Sequence, residues 1–429
     1  MSADRCSQAE TVQLRVLRQR GSLGVLICAL VFTIGAYAEP DLKLVRVPYP
    51  KGVQGYRPKG FVAVADGFLL GGEVMRAGTG WDVSLTKVSP QLVPGQQMVL
   101  AGDRTDDLVG VRVLNSGYIL LANTSSRRGD LRARYGIQDM NLLRVNREGE
   151  ILWSADLGGT GLNQAIDLVV DESNGAVTAL GWVNQGGGAV PKTYGELDVV
   201  VGRYDKSGGL QWVTVLGAKG DDLMGSLVVA GERTWVLYSG WSRRDRWQMY
   251  LVQLDAMGRE VRRNEFGGRG SELSADLVRL DDGDLLLLGT TDTDDRRYGE
   301  PHGKTDILLM QVSERGNIRW QARFGGSETD LAHSLVAGQG GEYWVLGMTQ
   351  SGDGDMPRHL GGNDVVLLRV GSKGELLDSH TYGTADEDVP LQIVMRPGTR
   401  WPTILGAVRI SENLSDPFLI LEGRSVGSY

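Results

Sequence analysis

Residues 108–159 read LVGVRVLNSGYILLANTSSRRGDLRARYGIQDMNLLRVNREGEILWSADLGG. A short apolar, β-branched run, 108–114, meets a turn at Asn115-Ser116-Gly117 and returns as 118–123. A polar stretch, 125–138, follows. Asp139 opens a third run, and Arg147-Glu148-Gly149 turns into a fourth, ILWSADL, which ends at Gly158-Gly159. Four short runs bounded by Gly, Asn and Asp predict a four-stranded antiparallel meander. The β-branched and aromatic content favours strands over helices.

The same plan recurs along the chain. Further copies end in LQWVTVLGA (210–218), NEFGG (264–268), IRWQARFGG (318–326) and SHTYGT (379–384), at a spacing of 50 to 59 residues. Self-similarity at such a period marks a solenoid or propeller. Seven copies are expected at 53–102, 103–159, 160–218, 219–268, 269–326, 327–384 and 385–423. Seven four-stranded sheets around an axis make an all-β, seven-bladed β-propeller, whose edges are short and protected. The last copy lacks a good fourth strand. Residues 42–47 (LKLVRV) are expected to supply it, so 39–52 would close the ring and remove an exposed edge.

The bulk numbers agree. Among 429 residues, 41% are hydrophobic and 61 are glycine, against 13 prolines. That suits many tight turns, and the charge is too low for disorder. Residues 1–38 have the form of a secretory signal peptide. Arg15, Arg18 and Arg20 precede an apolar run, and Ala36-Tyr37-Ala38 offers a cleavage site. An exported protein, periplasmic, secreted or at the cell surface, is therefore expected, with 424–429 a short tail. Both cysteines, Cys6 and Cys28, fall in that segment. The mature chain would have no disulfide, and its stability must come from a large core. Removing four arginines with Asp4 and Glu10 takes the formal charge from −8 to −10. So acidic a chain is not expected to bind nucleic acid. No membrane span is expected after cleavage, and a monomer is expected.

Three columns repeat. A glycine stands in the hairpin between strands three and four at 149, 208, 258, 316 and 374. An acid precedes strand three at Asp82, Asp139, Asp198, Asp306, Asp364 and Asp416, with Gln248 as the exception. Another precedes strand one at Asp107, Asn163, Asp222, Glu272, Asp330 and Asp388. A carboxylate at a strand entry accepts backbone N–H groups, and residues repeated six times belong to the scaffold.

The motif G-x-x-x-D-x-A-x-x-(strand)-G-(strand)-G-x-T-(loop)-D-(strand)-G-x-x-x-W-x-x-x-(F/L)-G-G resembles the bacterial seven-bladed β-propeller repeat of secreted and surface proteins. Its best copy runs through Phe324-Gly325-Gly326, Asp330, Gly347, Thr349, Asp364 and Gly374. The resemblance implies architecture over 60–423 rather than an activity. A weaker resemblance, through Gly149-Glu150-Ile151-Leu152-Trp153, is to quinoprotein-type propeller repeats. Those dehydrogenases use vicinal cysteines, which the mature chain lacks, so that activity is not expected. Trp153, Trp212 and Trp320 are expected to pack between blades.

Function is then expected where the copies differ, in the long loops between strands two and three. Loop two carries Arg127, Arg128, Arg132 and Arg134, and loop four Trp241, Arg243, Arg244, Arg246 and Trp247; Tyr298 lies in loop five. Arginine with Trp and Tyr is the mixture of binding hot spots. These ten residues are the expected contacts of a non-catalytic binding or scaffold propeller, with an envelope protein or an anionic polysaccharide as partner. The alternative is a carbohydrate-active enzyme, a lyase or glycoside hydrolase, using acids on the same face. No cofactor is expected. Calcium is the metal considered first, at Asp292, Asp294, Asp295, Asp353 and Asp355, ahead of a transition metal with His302 and His359 of the same loops, although the acidic run lacks a full alternating ligand loop. His333, on an inner strand, and His380, on an outer one, are read as packing residues.

Overall fold

In a computed structural model, the described residues are 42–46, 55–64, 67–91, 93–241, 246–396, 398–411 and 414–422. The expected leader, 1–38, and the tail, 424–429, lie outside them. No helix among the described residues is long and apolar enough to cross a membrane.

The chain is all-β, a propeller of four-stranded antiparallel repeats. The second repeat is typical: Asp106–Leu114, Gly117–Thr124, Asp139–Val145 and Ile151–Leu157 pair in order. Five such sheets stand alone, and a sixth has eight strands. The seven separate blades expected from the sequence are thus corrected to six, one of them double. The double one joins the first and last repeats. The strand Leu42–Arg46 runs antiparallel to the far end of Leu414–Glu422, pairing Leu42 with Glu422 and Arg46 with Phe418. Five residues cannot cover nine. The uncovered start of that last strand meets the first repeat through one parallel bridge, Tyr56 to Leu414.

The first strand of each repeat packs against the first strand of the next, and Tyr56–Val64 against Glu387–Val394 completes the circuit. Between neighbouring repeats lies a separate apolar cluster. Leu121, Leu142 and Leu157 of the second repeat, for example, meet Leu168, Val177 and Val200 of the third, all fully buried. Each such side chain contributes about 1.5–3 kcal/mol on burial.

Hydrogen bonds in the acidic columns hold these interfaces together. Asp139 accepts the N–H groups of Tyr135 and Gly136, and Asp198 those of Tyr194 and Gly195. In the other column, Asp222 accepts from Ala218 and Asp388 from Thr384, each four residues upstream. The second repeat corrects the sequence alignment by one residue. Asp106, not Asp107, is fully buried there and accepts from Gly102, Thr124 and Ser126.

The two columns converge on the glycine step. A Cβ added at Gly217 would lie 2.7 Å from an Asp222 oxygen and closer still to Asp198 Oδ1. Asp198 Oδ1, Asp364 Oδ1 and Asp388 Oδ1 are buried and accept no hydrogen bond. The equivalent pair between repeats two and three shows what belongs there. Asn163 Oδ1 accepts Gly159 N–H, as the aspartates do, and its amide donates to Asp139 Oδ1 at 2.9 Å. A donor therefore suits this place, and in the all-acid pairs a carboxyl can supply it when protonated. Burial pushes Asp222 up to about 6, and neighbouring Asp198 and Asp221 add to the rise while Arg263 opposes it. Burial likewise raises Asp106 to about 6 and Glu272 to about 7.

The hairpin glycines have a second task besides their positive φ. Gly208 (φ 85°) lies over the Trp153 ring, and a Cβ there would stand 2.8 Å from it. Gly258 covers Trp212 and Gly374 covers Trp320 in the same way, so the tryptophans do pack between repeats.

Two outcomes follow from these contacts. The raised carboxyls favour the folded state when protonated. Their contribution is present below about pH 4, the unfolded value, and is lost as pH rises through 6 to 7. Asp222→Asn, copying Asn163, should raise the melting temperature at pH 8 and leave it nearly unchanged near pH 3, below the unfolded value. An equal shift at both pH values would contradict proton sharing. Deleting 39–50 should lower the melting temperature of the whole domain, and unaltered melting would show that Leu42–Arg46 does not hold the ring closed.

Candidate functional site

Every first strand carries a β-bulge, for instance between Pro58 and Gly60, Ala165 and Asp167, Ala332 and Ser334, and Pro390 and Gln392. A bulge inserts one residue and re-aims its side chain. Lys59, Ile166, Ala275, His333 and Leu391 are inserted this way, and all of them line cavities bounded by the first strands. These cavities lie on the axis.

The larger, of about 720 Å³, opens where the first strands of repeats one, six and seven begin. That end carries the repeat-to-repeat connections and the long loops. Its wall holds Arg57, Lys59, His333 and Arg409 among apolar residues such as Leu331, Met348, Val389 and Leu391. A cationic wall in so acidic a chain is a local reversal of charge. Lys59 reaches back to the fully buried Glu73 at 3.0 Å. Burial pushes Glu73 up to about 7, although Lys59 beside it opposes the rise. The Arg57 guanidinium stacks 4.1 Å above the Trp81 ring.

His333 lines both this cavity and a deeper one of about 430 Å³. Its side chain is exposed to the cavity but ringed by protein, which pushes its pKa down to about 4 through loss of solvation. The imidazole is therefore neutral at pH 7, with one ring nitrogen able to accept a proton. Its Nδ1 lies 3.3 Å from Ser334 Oγ. The packing role expected for His333 is corrected here, because the bulge turns it off the sheet and into the axis. His380 does pack, against Trp401 and Tyr382, with Nε2 on Asp378 at 2.9 Å.

Two carboxylates stand deeper on the axis. Asp167 and Asp276 both reach Ser226 Oγ at 3.1 Å. They are also clamps between first strands. Asp167 accepts Leu227 N–H at 3.2 Å, and Asp276 accepts Leu335 N–H at 2.8 Å. Gln392, at the same place in repeat seven, accepts Phe61 N–H at 2.7 Å. An amide that performs the same task marks the position as structural.

The loop residues singled out from the sequence are placed as follows. The Arg127 guanidinium donates to the carbonyls of Ala133 and Gly136, and Arg132 Nε to that of Gly129, which folds loop two on itself. Arg134 pairs with Asp156 at 2.8 Å. Arg128 is exposed, with its backbone N–H on Asp103. Arg243 and Arg244 lie outside the described residues, and Arg246 is exposed. Trp241 and Trp247 meet edge to face at 5.3 Å, with Trp241 39% exposed. Tyr298 is corrected: it is 2% exposed and belongs to the apolar cluster between repeats four and five, so it is no contact residue. Its loop folds inward because a Tyr ring gains more from burial than from solvent.

The acids considered for calcium face backbone instead. Asp292 accepts Ser271 N–H, Asp295 accepts Arg269 N–H, Asp353 accepts Ser327 N–H and Asp355 accepts Gly325 N–H. Asp294 is exposed. Among the described residues, no group of three or more His, Cys, Asp or Glu is placed to hold a metal ion.

No family model and no curated protein matches the chain. Solved structures do. A PL25 ulvan lyase bound to a GlcA(1-4)Rha3S unit aligns with TM-score 0.51 and 10% identity, over 87% of this chain and 97% of that one. The polysaccharide lyase Uly1 aligns with TM-score 0.49 and 9% identity, over 88% and 92%. A thermostable family-43 glycoside hydrolase gives 0.36 and 10%, over 63% and 92%. At such identity the likeness is one of fold.

Asp276→Asn tests the clamp against a catalytic role. An amide oxygen still accepts Leu335 N–H, so both folding and any turnover should persist. Intact folding with turnover abolished would make Asp276 catalytic.

Proposed function

We propose that the chain is a carbohydrate-active enzyme whose axial cavity takes an anionic, uronate-bearing polysaccharide and cleaves it by elimination. The observation that carries this reading is that His333 lines one cavity of about 720 Å³ together with Arg57, Lys59 and Arg409. Elimination from a uronate needs a base for the proton beside the carboxylate and positive charge to stabilise the anion that forms. His333 supplies the acceptor nitrogen. The cations hold the carboxylate and take up the developing charge.

The depressed pKa suits this sequence of events. Empty, the site keeps the imidazole unprotonated. A bound anion favours the imidazolium and so strengthens the base when substrate is present. The proton beside the carboxylate moves to the His333 nitrogen, the electrons of that C–H bond form a carbon–carbon double bond, the adjacent carbon–oxygen glycosidic bond breaks, and the departing oxygen takes a proton from solvent water. Hydrolysis by paired carboxylates is less well supported, because Asp167 and Asp276 are engaged as strand clamps. That a solved lyase bound to a glucuronate saccharide shares the fold is in keeping with this reading.

The purified full chain should release products that absorb in the ultraviolet, through a double bond conjugated to the carboxylate, from at least one of a panel of uronate polymers. His333→Ala should lose about 100-fold or more of that rate, with no change in melting temperature. New reducing ends without the absorbance would mean hydrolysis. Full activity of His333→Ala would overturn the assignment.

A further inference from the structure

The face that carries the cavity mouth also carries exposed rings. Tyr135 is 40% exposed, Tyr194 48% and Trp241 39%, and Ile137 and Leu162 join them at 68% and 37%. They come from three consecutive repeats, two, three and four, on the loops and connections of the long-loop side. The rings are fixed from behind. Tyr135 lies against Gly188, where a Cβ would stand 2.6 Å from the ring. Trp241 lies against Gly220 and edge-on to Trp247. Gly195, next to Tyr194, closes on the carbonyl of the same Gly220, which brings the loops of repeats three and four together.

Glycines bring the backbone close to the base of both rings, which stay partly exposed. Cations stand among the rings. Lys192 lies 4.7 Å from the centre of the Tyr194 ring, and Arg128, Lys219 and Arg246 are exposed on the same side. The chain as a whole has a formal net charge of −8.

We infer that this arc of rings is a track for the polysaccharide chain beyond the axial cavity, binding an extended anionic polymer by ring stacking and charge. The inference rests on the proposed function for the identity of its ligand, but not for the existence of the surface. Pyranose rings present flat faces of C–H groups that lie against aromatic rings, and cations between the rings suit a chain with regularly spaced carboxylates or sulfates. The same mixture serves sequence-tolerant binding of another polyanion, single-stranded nucleic acid. A track of this kind makes the enzyme prefer long polymers over short fragments.

The test separates the track from the cavity. His333→Ala in the full chain serves as a non-cleaving background for affinity electrophoresis, in gels holding ulvan, other uronate polymers or a neutral glucan. Retardation by at least one uronate polymer, and none by the glucan, is expected. Adding Tyr135→Ala, Tyr194→Ala and Trp241→Ala should weaken that retardation about tenfold or more. Binding of a short uronate oligosaccharide should not change, because that is held in the axis. Polymer affinity that survives the triple substitution would overturn the track, as would failure of every uronate polymer to retard the background protein. Absence of elimination products with retardation intact, and lost in the triple variant, would sink the catalytic reading while leaving the track standing.

Discussion

The contact on which the rest of the structure depends is the buried meeting of two polar side chains at the glycine steps, a carboxyl or an amide on each side. One comes from the entry to a third strand, the other from the entry to the next repeat's first strand. They accept N–H groups of loops that no sheet satisfies. So close an approach disfavours two charges, and the chain relieves it with an amide at Asn163 or Gln248, with Arg323 on Asp306, or by raising the proton affinity of a carboxyl such as Asp222. Glycine is required between them because a Cβ would occupy the space of the carboxyl oxygens.

Most of the architecture was legible in the sequence, because burial and turn chemistry act within about 60 residues and repeat. The strand pattern, the hairpin glycines, the tryptophan column and the strand that closes the ring all carry local signals. The double blade does not. It depends on one bridge between Tyr56 and Leu414, set by the difference in length of two strands distant in sequence. The register slip at Asp106 and Asp107 is similar in kind, since two adjacent acids satisfy the same pattern and only burial tells them apart.

The site was less legible, for a physical reason that particular residues make plain. Attention to unrepeated loops passed over His333, which sits in a repeated strand. The signal was nonetheless present. In the inserted position of the bulges, most repeats have Val, Ile, Ala or Leu, whereas the first has Lys59 and the sixth His333. Charge or imidazole in an otherwise apolar column is the departure that mattered. The arginines of loop two misled in the opposite direction. Long loops have many carbonyls to satisfy, and Arg127 and Arg132 satisfy them.

The fold and the chemistry thus divide the acids from the bases. Acids hold the repeats together, buried and partly protonated, and cations and a neutral histidine line the axis. The most direct measurement is a crystal structure of full-length His333→Ala soaked with a uronate oligosaccharide. The saccharide should occupy the axial cavity with a carboxylate on Lys59, Arg57 or Arg409. A cavity left empty, with sugar bound only elsewhere, would contradict the placement of the site.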